Sequence, residues 1–301
     1  MFTNTTGLII PTRNRPLGLS TTLELFFKKK IKFFKIIVVD SSDKKFANQI
    51  KNICTKFNVE LYFSKPSTSQ QRNIGLKKLI KYKIEFIMFL DDDLKFFKNS
   101  FNFMDSHIQK NKNKYIGFCF NNYYYKKNVS LMEQIKASKF VKKIGLYSSE
   151  SGKILNNGWH TKIENLKKNI ETQWLPSACA IYKKKFLKNK YFDKSFGVYS
   201  YLEDLDFSLQ INPSRNNSFS AVSSAKFIHL EQVIRTSFIF GYYEFVNRYR
   251  IVRKFHLNKF FFFINAFLKM ILTTISIIKN YKNVFKLFGN IVGFITCSIS
   301  N

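Results

Sequence analysis

Residues 86–94 read Phe-Ile-Met-Phe-Leu-Asp-Asp-Asp-Leu, a short apolar run that leads directly into three consecutive carboxylates. Such a run is typical of a strand that is buried on both faces, as in a parallel sheet. Open α/β sheets bind ligands outside the carboxyl ends of their strands, so the three carboxylates stand where a ligand is expected. Taken alone, the triplet is equally typical of a solvated turn or a helix N-cap.

The spacing within the triplet points to a metal ion. Asp91 and Asp93 are two residues apart, so their side chains point the same way on an extended segment, with Asp92 turned aside. Two carboxylates on the same side repel each other unless a cation joins them. Hard oxygen ligands favour Mg²⁺ or Mn²⁺, with water and a substrate phosphate completing the coordination.

The chain around the triplet alternates between strand and helix patterns. Before the triplet, the pattern predicts strands at 7–10, 36–39 and 60–63 and helices at 17–30, 46–57 and 69–79. This alternation predicts an α/β fold with a mostly parallel central sheet and helices on both faces. The chain has no Gly-x-Gly-x-x-Gly and no Walker loop, which argues against a dinucleotide-binding fold and a P-loop NTPase.

A second acidic cluster, Glu-Asp-Leu-Asp at 203–206, lies in the later part of the chain. Acidic residues in a first helical turn are favoured by the helix dipole, so simple capping is the alternative to a catalytic role. Residues 121–170 are polar and have no clear pattern. Beyond the triplet, the predicted elements are a helix at 95–112, strands at 115–120 and 219–228, and a helix at 203–211.

Polar residues end several of the predicted strands. Thr12, Asp40 and Asp91 all fall at carboxyl ends, and His229 follows the last strand. Because the carboxyl ends of parallel strands meet at one edge of a sheet, these side chains are expected to line one crevice. Convergence of several such ends is a stronger signal than any of them alone.

Composition limits the partners and the compartment. The 301 residues are 45% hydrophobic and carry a formal net charge of +31. Part of this charge reflects heavy Lys and Asn usage, and the rest predicts attraction to nucleic acid, an anionic bilayer or phosphorylated substrates. The four cysteines form no Cys-x-x-Cys pair, which suits a reducing compartment, and the N-terminus has no signal-peptide pattern.

The motifs, in their order along the chain, resemble glycosyltransferase family 2, which implies an inverting enzyme with the GT-A fold. The resemblance covers about residues 5–255 and implies that residues 1–255 form the catalytic domain. The matching segments are Ile-Ile-Pro-Thr-Arg-Asn-Arg at 9–15, Ile-Val-Val-Asp at 37–40, Gln-Arg-Asn-Ile-Gly at 71–75, Phe-Leu-Asp-Asp-Asp at 89–93, Trp-Leu-Pro-Ser at 174–177, Phe-Asp at 192–193 and Glu-Asp-Leu-Asp-Phe at 203–207.

The resemblance also implies roles for single residues. The implied contacts to a nucleotide-sugar donor are Thr12, Arg13, Asp40, Arg72, Asn73 and Asp91. The implied ligands of a divalent Mn or Mg ion are Asp91, Asp93 and His229. On the acceptor side, the implied residues are Asp204 as general base and Trp174 and Glu203 as binding residues. A structural histidine and a core tryptophan are the alternatives for His229 and Trp174.

Residues 256–301 are predicted to form a basic, amphipathic or hydrophobic helical region that associates with a membrane. The segment 260–278 is apolar enough to span a bilayer, but Lys269 interrupts it. A lysine at mid-membrane costs about 2.5–3.5 kcal/mol on insertion scales. The favoured interpretation is therefore a monotopic or peripheral region on the cytoplasmic face of the inner membrane. A single span and packing against the catalytic domain are the alternatives.

Together these patterns predict a metal-dependent glycosyltransferase that moves a sugar from a nucleotide-sugar donor to a glycan or lipid-linked acceptor in cell-surface polysaccharide synthesis. The alternative is a basic nucleic-acid-binding or scaffold protein on a similar α/β fold. No zinc finger, RNA-binding sheet signature or compact basic helix supports nucleic acid as a partner.

Overall fold

The protein was analysed as a computed structural model that describes residues 1–124, 147–198, 200–230 and 235–300. The chain divides into two compact units. Unit 1 contains residues 1–124 and 163–231, and unit 2 contains residues 125–162 and 232–301. Most of residues 121–170, for which the sequence predicts no clear element, therefore belong to unit 2.

Unit 1 is built on a sheet of nine described strands in the order β3-β2-β1-β4-β8-β6-β9-β5, with β7 paired to β9. The strands are β1 (Thr6–Thr12), β2 (Lys35–Asp40), β3 (Glu60–Phe63), β4 (Phe86–Leu90), β5 (Leu94–Phe96), β6 (Gly117–Asn122), β7 (Ile170–Thr172), β8 (Cys179–Lys183) and β9 (Phe219–His229). Strands β5, β7 and β8 run against the other six. The prediction of a mostly parallel α/β sheet is confirmed.

The helices of unit 1 follow local sequence signals. They are α1 (Pro16–Lys28), α2 (Lys44–Lys56), α3 (Thr68–Leu79), α4 (Ser100–Asn111) and α5 (Glu203–Ile211). Proline is the first residue of α1, a position where a backbone N–H would have no partner within the helix. The side chain of Ser67 accepts a hydrogen bond from Gln70 N and so caps α3.

Strand β4 lies in the middle of the sheet, between parallel β1 and antiparallel β8. All five of its residues are buried, as predicted for a strand covered on both faces. Phe86, Met88 and Leu90 point into one core cluster. On the other face Phe89 contacts Phe192 edge-on, with ring centroids 5.1 Å apart. The strand that carries the acidic triplet is thus held rigidly from both sides.

One predicted element is wrong at its start. The helix expected from residue 95 begins only at Ser100, and residues 94–96 form β5 instead. Leu94 and Phe96 are buried while Lys95 is exposed, an alternation too short to be recognised as a strand from sequence. Strand β5 pairs with β9 and sets Leu94 opposite His229.

Among its described residues, unit 2 contains three helices, which are α6 (Phe238–Lys254), α7 (Lys259–Ile277) and α8 (Asn283–Ile299). Helices α6 and α8 approach each other closely through glycines. A Cβ on Gly289 would lie 2.1 Å from the carbonyl oxygen of Phe238, and one on Gly241 would lie 2.2 Å from that of Lys286. The predicted domain boundary at residue 255 stays a prediction, and the structure groups α6, which precedes it, with the C-terminal helices.

By length and composition, α7 is the one helix in the described part of the chain that could cross a membrane. Its 19 residues have a mean hydropathy of 1.9 in the most apolar window, and 17% of that window is buried. Helix α8 is apolar but shorter.

Candidate active site

The structure brings together the three predicted metal ligands at the carboxyl end of β4. Asp91 and Asp93 follow β4 directly, and His229 ends β9. One ligand atom from each residue lies within 4.8 Å of the others. His229 Nδ1 is 3.5 Å from Asp93 Oδ1, and Leu230 N donates a 2.9 Å hydrogen bond to Asp93 O. The pairing of β5 with β9 therefore places His229 beside Asp93.

The chemistry of this donor set suits a divalent cation. Two carboxylates and an imidazole are ligands that Mn²⁺ accepts readily, and the carboxylates also suit Mg²⁺. Burial alone would raise the pKa of Asp93, but its hydrogen bond to His229 and the charges of His229 and Arg15 outweigh burial and lower it. Asp93 is thus held ionised, the state in which a carboxylate binds a metal.

Asp92 is turned away from the metal cluster, as predicted, and has a structural role. Its carboxylate accepts hydrogen bonds from Thr12 Oγ1 at 2.5 Å and from Arg15 Nη1 at 3.1 Å. Thr22 Oγ1 donates to its carbonyl oxygen at 3.0 Å. Burial raises the pKa of Asp92 to about 7. Arg15, which the sequence analysis did not single out, also lies 3.2 Å from Asp93.

The ends of β1 and β2 form the next part of this edge, where Thr12 and Asp40 pair in register. The side chain of Gln71 donates to Thr12 O at 2.8 Å and to Val39 O at 2.7 Å. Asp40 Oδ1 accepts a 2.9 Å hydrogen bond from Ser42 N. Its buried Oδ2 has no hydrogen-bond partner among the described residues, so it is a free acceptor at the expected donor position.

Two of the predicted donor contacts, Arg13 and Asn73, have protein partners, and donor binding by Arg13 stays a prediction. Arg13 has a side chain that is 45% exposed and lies 3.8 Å from Asp43. The Asn73 amide donates to Phe192 O and accepts from Phe192 N, both at 2.8 Å. Donor binding by Asn73 stays a prediction, but its side-chain groups already hold the segment around Phe192.

Arg72 links the acidic triplet to helix α5. Its Nη2 donates to Asp91 Oδ1 at 2.9 Å, and its Nη1 bonds to Glu203 Oε1. Ser69 Oγ donates to the other oxygen of Glu203. Arg72 and Glu203 are both 4% exposed. Acceptor binding by Glu203 stays a prediction, and the structure buries its carboxylate in an ion pair.

Asp204, the predicted base, lies in the first turn of α5. The preceding Leu202 has a φ of 71°, a left-handed conformation that bulky residues rarely adopt and that often marks functional sites. Leu205 N donates a 2.8 Å hydrogen bond to Asp204 Oδ1. Burial raises the pKa of Asp204, with the charge of Arg72 opposing the shift. A carboxylate with a raised pKa is a better proton acceptor.

Aromatic packing fixes α5 against the sheet. Phe207 stacks on Phe192 with ring centroids 4.0 Å apart and meets Phe89 of β4 edge-on at 5.8 Å. Phe207 follows Asp204 by three residues, so this contact fixes the turn that carries the predicted base. Trp174 is 5% exposed, which agrees with the core alternative, and its acceptor role stays a prediction.

The comparisons with known proteins agree with this arrangement. The sequence profile of glycosyl transferase family 2 matches residues 8–189, which is more than half of the chain. The chain therefore belongs to glycosyl transferase family 2. A search of the curated proteins found no match.

Several solved structures share the fold. S. aureus TarS 1–349 matches with a TM-score of 0.55 and 16% identity, over 97% of this chain and 80% of that one. The same fragment in complex with UDP-GlcNAc matches with a TM-score of 0.50 and 15% identity, over 87% and 66%. GalNAc-T7 with UDP, GalNAc and Mn²⁺ matches with a TM-score of 0.54 and 13% identity, over 83% and 47%. The chain spans 42% of the longer TarS structure.

Proposed function

We propose that this chain is a metal-dependent, inverting glycosyltransferase that uses a nucleotide-sugar donor. The observation that carries the proposal is the cluster of Asp91, Asp93 and His229, linked by Arg72 to the helix that bears Asp204. Family membership alone supports a sugar transferase. The cluster supports metal dependence, and the raised pKa of Asp204 supports the assignment of the base.

The donor is proposed to lie along the carboxyl edge of the sheet. The unpartnered Oδ2 of Asp40 would accept a hydrogen bond from the nucleotide base, beside Thr12. Asp91, Asp93 and His229 would hold the divalent ion. Complexes of two proteins with this fold, TarS with UDP-GlcNAc and GalNAc-T7 with UDP and Mn²⁺, motivate a uridine nucleotide and Mn²⁺ as the first choices to test.

The chain's own residues would then act as follows. Asp204 accepts the proton of the acceptor hydroxyl while that oxygen attacks the anomeric carbon. The bond between the anomeric carbon and the diphosphate oxygen breaks in the same displacement, which inverts the configuration. A bound divalent cation would offset the charge that develops on the nucleoside diphosphate. Arg72 holds Asp91 in place for the donor and reduces the repulsion between the two acidic clusters.

For the acceptor, we propose a glycan or lipid-linked glycan used in cell-surface polysaccharide synthesis. The support is indirect: the net charge of +31 and an apolar C-terminal helical unit favour work close to an anionic surface. Acceptor binding by Trp174 and Glu203, whose side chains are buried, stays a prediction.

The test is a donor panel of UDP-, GDP- and dTDP-sugars, assayed for binding and for turnover with Mn²⁺, Mg²⁺ or EDTA. We expect one donor to be turned over with metal and not with EDTA. Asp204→Asn should retain donor binding and lose transfer by about 10²–10⁴-fold, the usual contribution of a general base. Glu24→Gln, at a 38% exposed carboxylate of α1, is the control. Failure to bind every nucleotide sugar contradicts the proposal.

A further inference from the structure

Two lysines, one in the middle of α7 and one in the first turn of α8, face inward. Lys269 of α7 and Lys286 of α8 lie 3.7 and 3.0 Å from the carboxylate oxygens of Glu244 on α6. The three side chains are 18%, 12% and 7% exposed, respectively. Asn290 donates a 3.3 Å hydrogen bond to Glu244. The lysine that interrupts the apolar segment of α7 is therefore neutralised inside unit 2.

The outer side of α8 is a continuous apolar stripe. Residues at alternating steps of three and four positions are between 42% and 81% exposed, which places them along one face of the helix. We call them the α8 stripe. They are Phe285, Phe288, Val292, Ile295 and Ile299.

Helix α7 has a similar outer side. Phe260, Phe267, Ile271 and Ile275, here called the α7 stripe, recur at steps of seven, four and four residues and are between 40% and 70% exposed. The most apolar window of α7 is 17% buried, whereas the core helix of a soluble protein is mostly buried. Exposed apolar surface of this extent indicates an interaction site.

The exposed charges at the ends of these helices are all basic. Lys259 begins α7, and Lys279 and Lys282 lie in the connection to α8. A 19-residue helix is about 28 Å long, so cations stand at both ends of the α7 stripe. The sequence from 245 to 301 contains no Asp or Glu. This pattern of an apolar face with a basic border complements an anionic lipid surface.

A second buried charge of α6, Arg248, lies one turn after Glu244. Arg248 Nη1 donates a 2.7 Å hydrogen bond to Gly158 O, and the guanidinium lies 4.4 Å from the centre of the Trp159 ring. Arg248 follows Glu244 by four residues, so both lie on one face of α6, and the buried charged groups of the described part of unit 2 gather there. The α7 and α8 stripes remain as exposed apolar surface, which suits a helix pair lying in a membrane interface and not crossing it.

We propose that α7 and α8 dock side by side in the plane of an anionic lipid bilayer, with the α7 and α8 stripes in the acyl boundary and Lys259, Lys279 and Lys282 on lipid phosphates. The inference does not rest on the proposed function. A second copy of the chain is a weaker occupant, because it would bring two basic borders together.

The test is co-sedimentation of the full chain with vesicles of phosphatidylglycerol and phosphatidylcholine. We expect binding to the mixed vesicles and a loss of at least about tenfold in the Phe267→Glu/Phe288→Glu variant, because each phenylalanine removes apolar area from water. Phe103→Glu, at a 44% exposed phenylalanine of α4, is the matched control. Equal melting temperatures of the variants show that they remain folded.

The basic border is tested separately. Lys279→Gln and Lys282→Gln should each reduce binding to anionic vesicles about fivefold and leave binding to pure phosphatidylcholine unchanged. The proposal is overturned if the parent protein binds no vesicle. It is also overturned if the Phe267→Glu/Phe288→Glu variant binds vesicles normally while its molecular mass in solution falls, which would identify a second copy as the occupant.

Cysteine labelling distinguishes docking in the plane from a span. Lys254→Cys and Asn280→Cys flank α7, and the native cysteines are buried. With protein added from outside the vesicles, an impermeant maleimide should label both positions equally. Labelling of Lys254→Cys together with protection of Asn280→Cys would show that α7 crosses the bilayer and would overturn the in-plane arrangement.

Discussion

Unit 1 and unit 2 each bury carboxylates, but the balance of charge around them differs. Among the described residues at the edge of the sheet, Asp91, Asp92 and Asp93, together with Glu203, share the guanidinium groups of only two arginines, Arg15 and Arg72. In unit 2 the single carboxylate of Glu244 faces two lysines, Lys269 and Lys286. With His229 counted as a cation, the four carboxylates at the sheet edge still outnumber three cationic groups, whereas the single carboxylate of Glu244 is outnumbered by two lysines.

This difference separates a binding site from a structural ion pair. A buried excess of carboxylates is unfavourable unless another cation binds, so the sheet edge is arranged for a ligand that the chain does not supply. Lys269 and Lys286 instead complete the charge requirement of Glu244 within unit 2, and together they lower its pKa to about 2 against the effect of burial. We therefore expect substitutions in the two groups to affect different properties.

The largest effect is expected at the metal cluster. Asp93→Asn should lower turnover by about 10³-fold, comparable to the loss of a group that stabilises charge in a transition state. It should lower the melting temperature only modestly, because Asp93 loses its ion pairs with His229 and Arg15. Turnover at saturating Mn²⁺ and thermal unfolding measure the two quantities. A large loss of stability would mean that the cluster is structural.

Glu244→Gln should have the opposite effects, a large loss of stability and little change in turnover. It leaves Lys269 and Lys286 buried without a carboxylate, which typically destabilises by about 3–5 kcal/mol. The two tryptophans of the chain are Trp159 in unit 2 and Trp174 in unit 1. In a Trp174→Phe background, denaturant unfolding followed by tryptophan fluorescence therefore reports on unit 2 alone. The triple variant Glu244→Gln/Lys269→Met/Lys286→Met should recover most of the loss. No recovery would show that the charges do not act as a group.

Gly289→Ala tests the packing beneath the lysine–glutamate group. Alanine favours the helix over glycine by about 1 kcal/mol, but its Cβ would lie 2.1 Å from the backbone of Phe238. Backbone cannot move as a side chain can, so we expect a net destabilisation of about 1–3 kcal/mol. Ser298→Ala on the exposed side of α8 is the control, and unfolding of unit 2 is the measurement.

The pH dependence of transfer tests the effect of burial on Asp204. A base must be ionised to accept a proton, and burial raises the pKa of Asp204. The transfer rate should therefore fall about tenfold per pH unit below an apparent pKa that lies above the ordinary aspartate value of about 4. Donor binding measured over the same range separates this effect from binding. A profile identical in Asp204→Asn would remove Asp204 from the role.

The smallest effect is expected at an exposed carboxylate. Glu24 is 38% exposed and lies 3.3 Å from Lys28, so Glu24→Gln should change stability by less than about 0.5 kcal/mol. It should leave turnover unchanged. This variant sets the baseline against which both buried groups are compared, and a larger effect would show that exposed charges matter more in this strongly basic chain than elsewhere.

The parts of the site that follow from local sequence were predictable. The apolar pattern before Asp91 identified β4, and the spacing of Asp91 and Asp93 placed them together. The links between elements were not predictable, because they depend on which helices approach the sheet edge. No local pattern indicates that Arg72 reaches Glu203 or that Arg15 reaches Asp92.

The C-terminal unit shows the same limit. Lys269 was predicted as an interruption of an apolar segment, because its distance from Glu244 in sequence conceals the ion pair. The start of α4 was misplaced for a related reason. Only the partner strand β9 makes residues 94–96 a strand, and that partner is distant in the sequence. In each case the deciding contact lies on another element.

The position of His229 has a consequence for how the protein is made. The first two members of the candidate metal cluster, Asp91 and Asp93, are synthesised well before the third, His229, which ends β9 and pairs with Leu94 only after β9 has left the ribosome. Strand β4 likewise pairs on one side with β8, which is synthesised later. Contacts between such distant segments form late in folding. A nascent or truncated chain that lacks β9 therefore contains the acidic triplet without the complete candidate metal cluster, and any activity that depends on this cluster can begin only after β9 has been made.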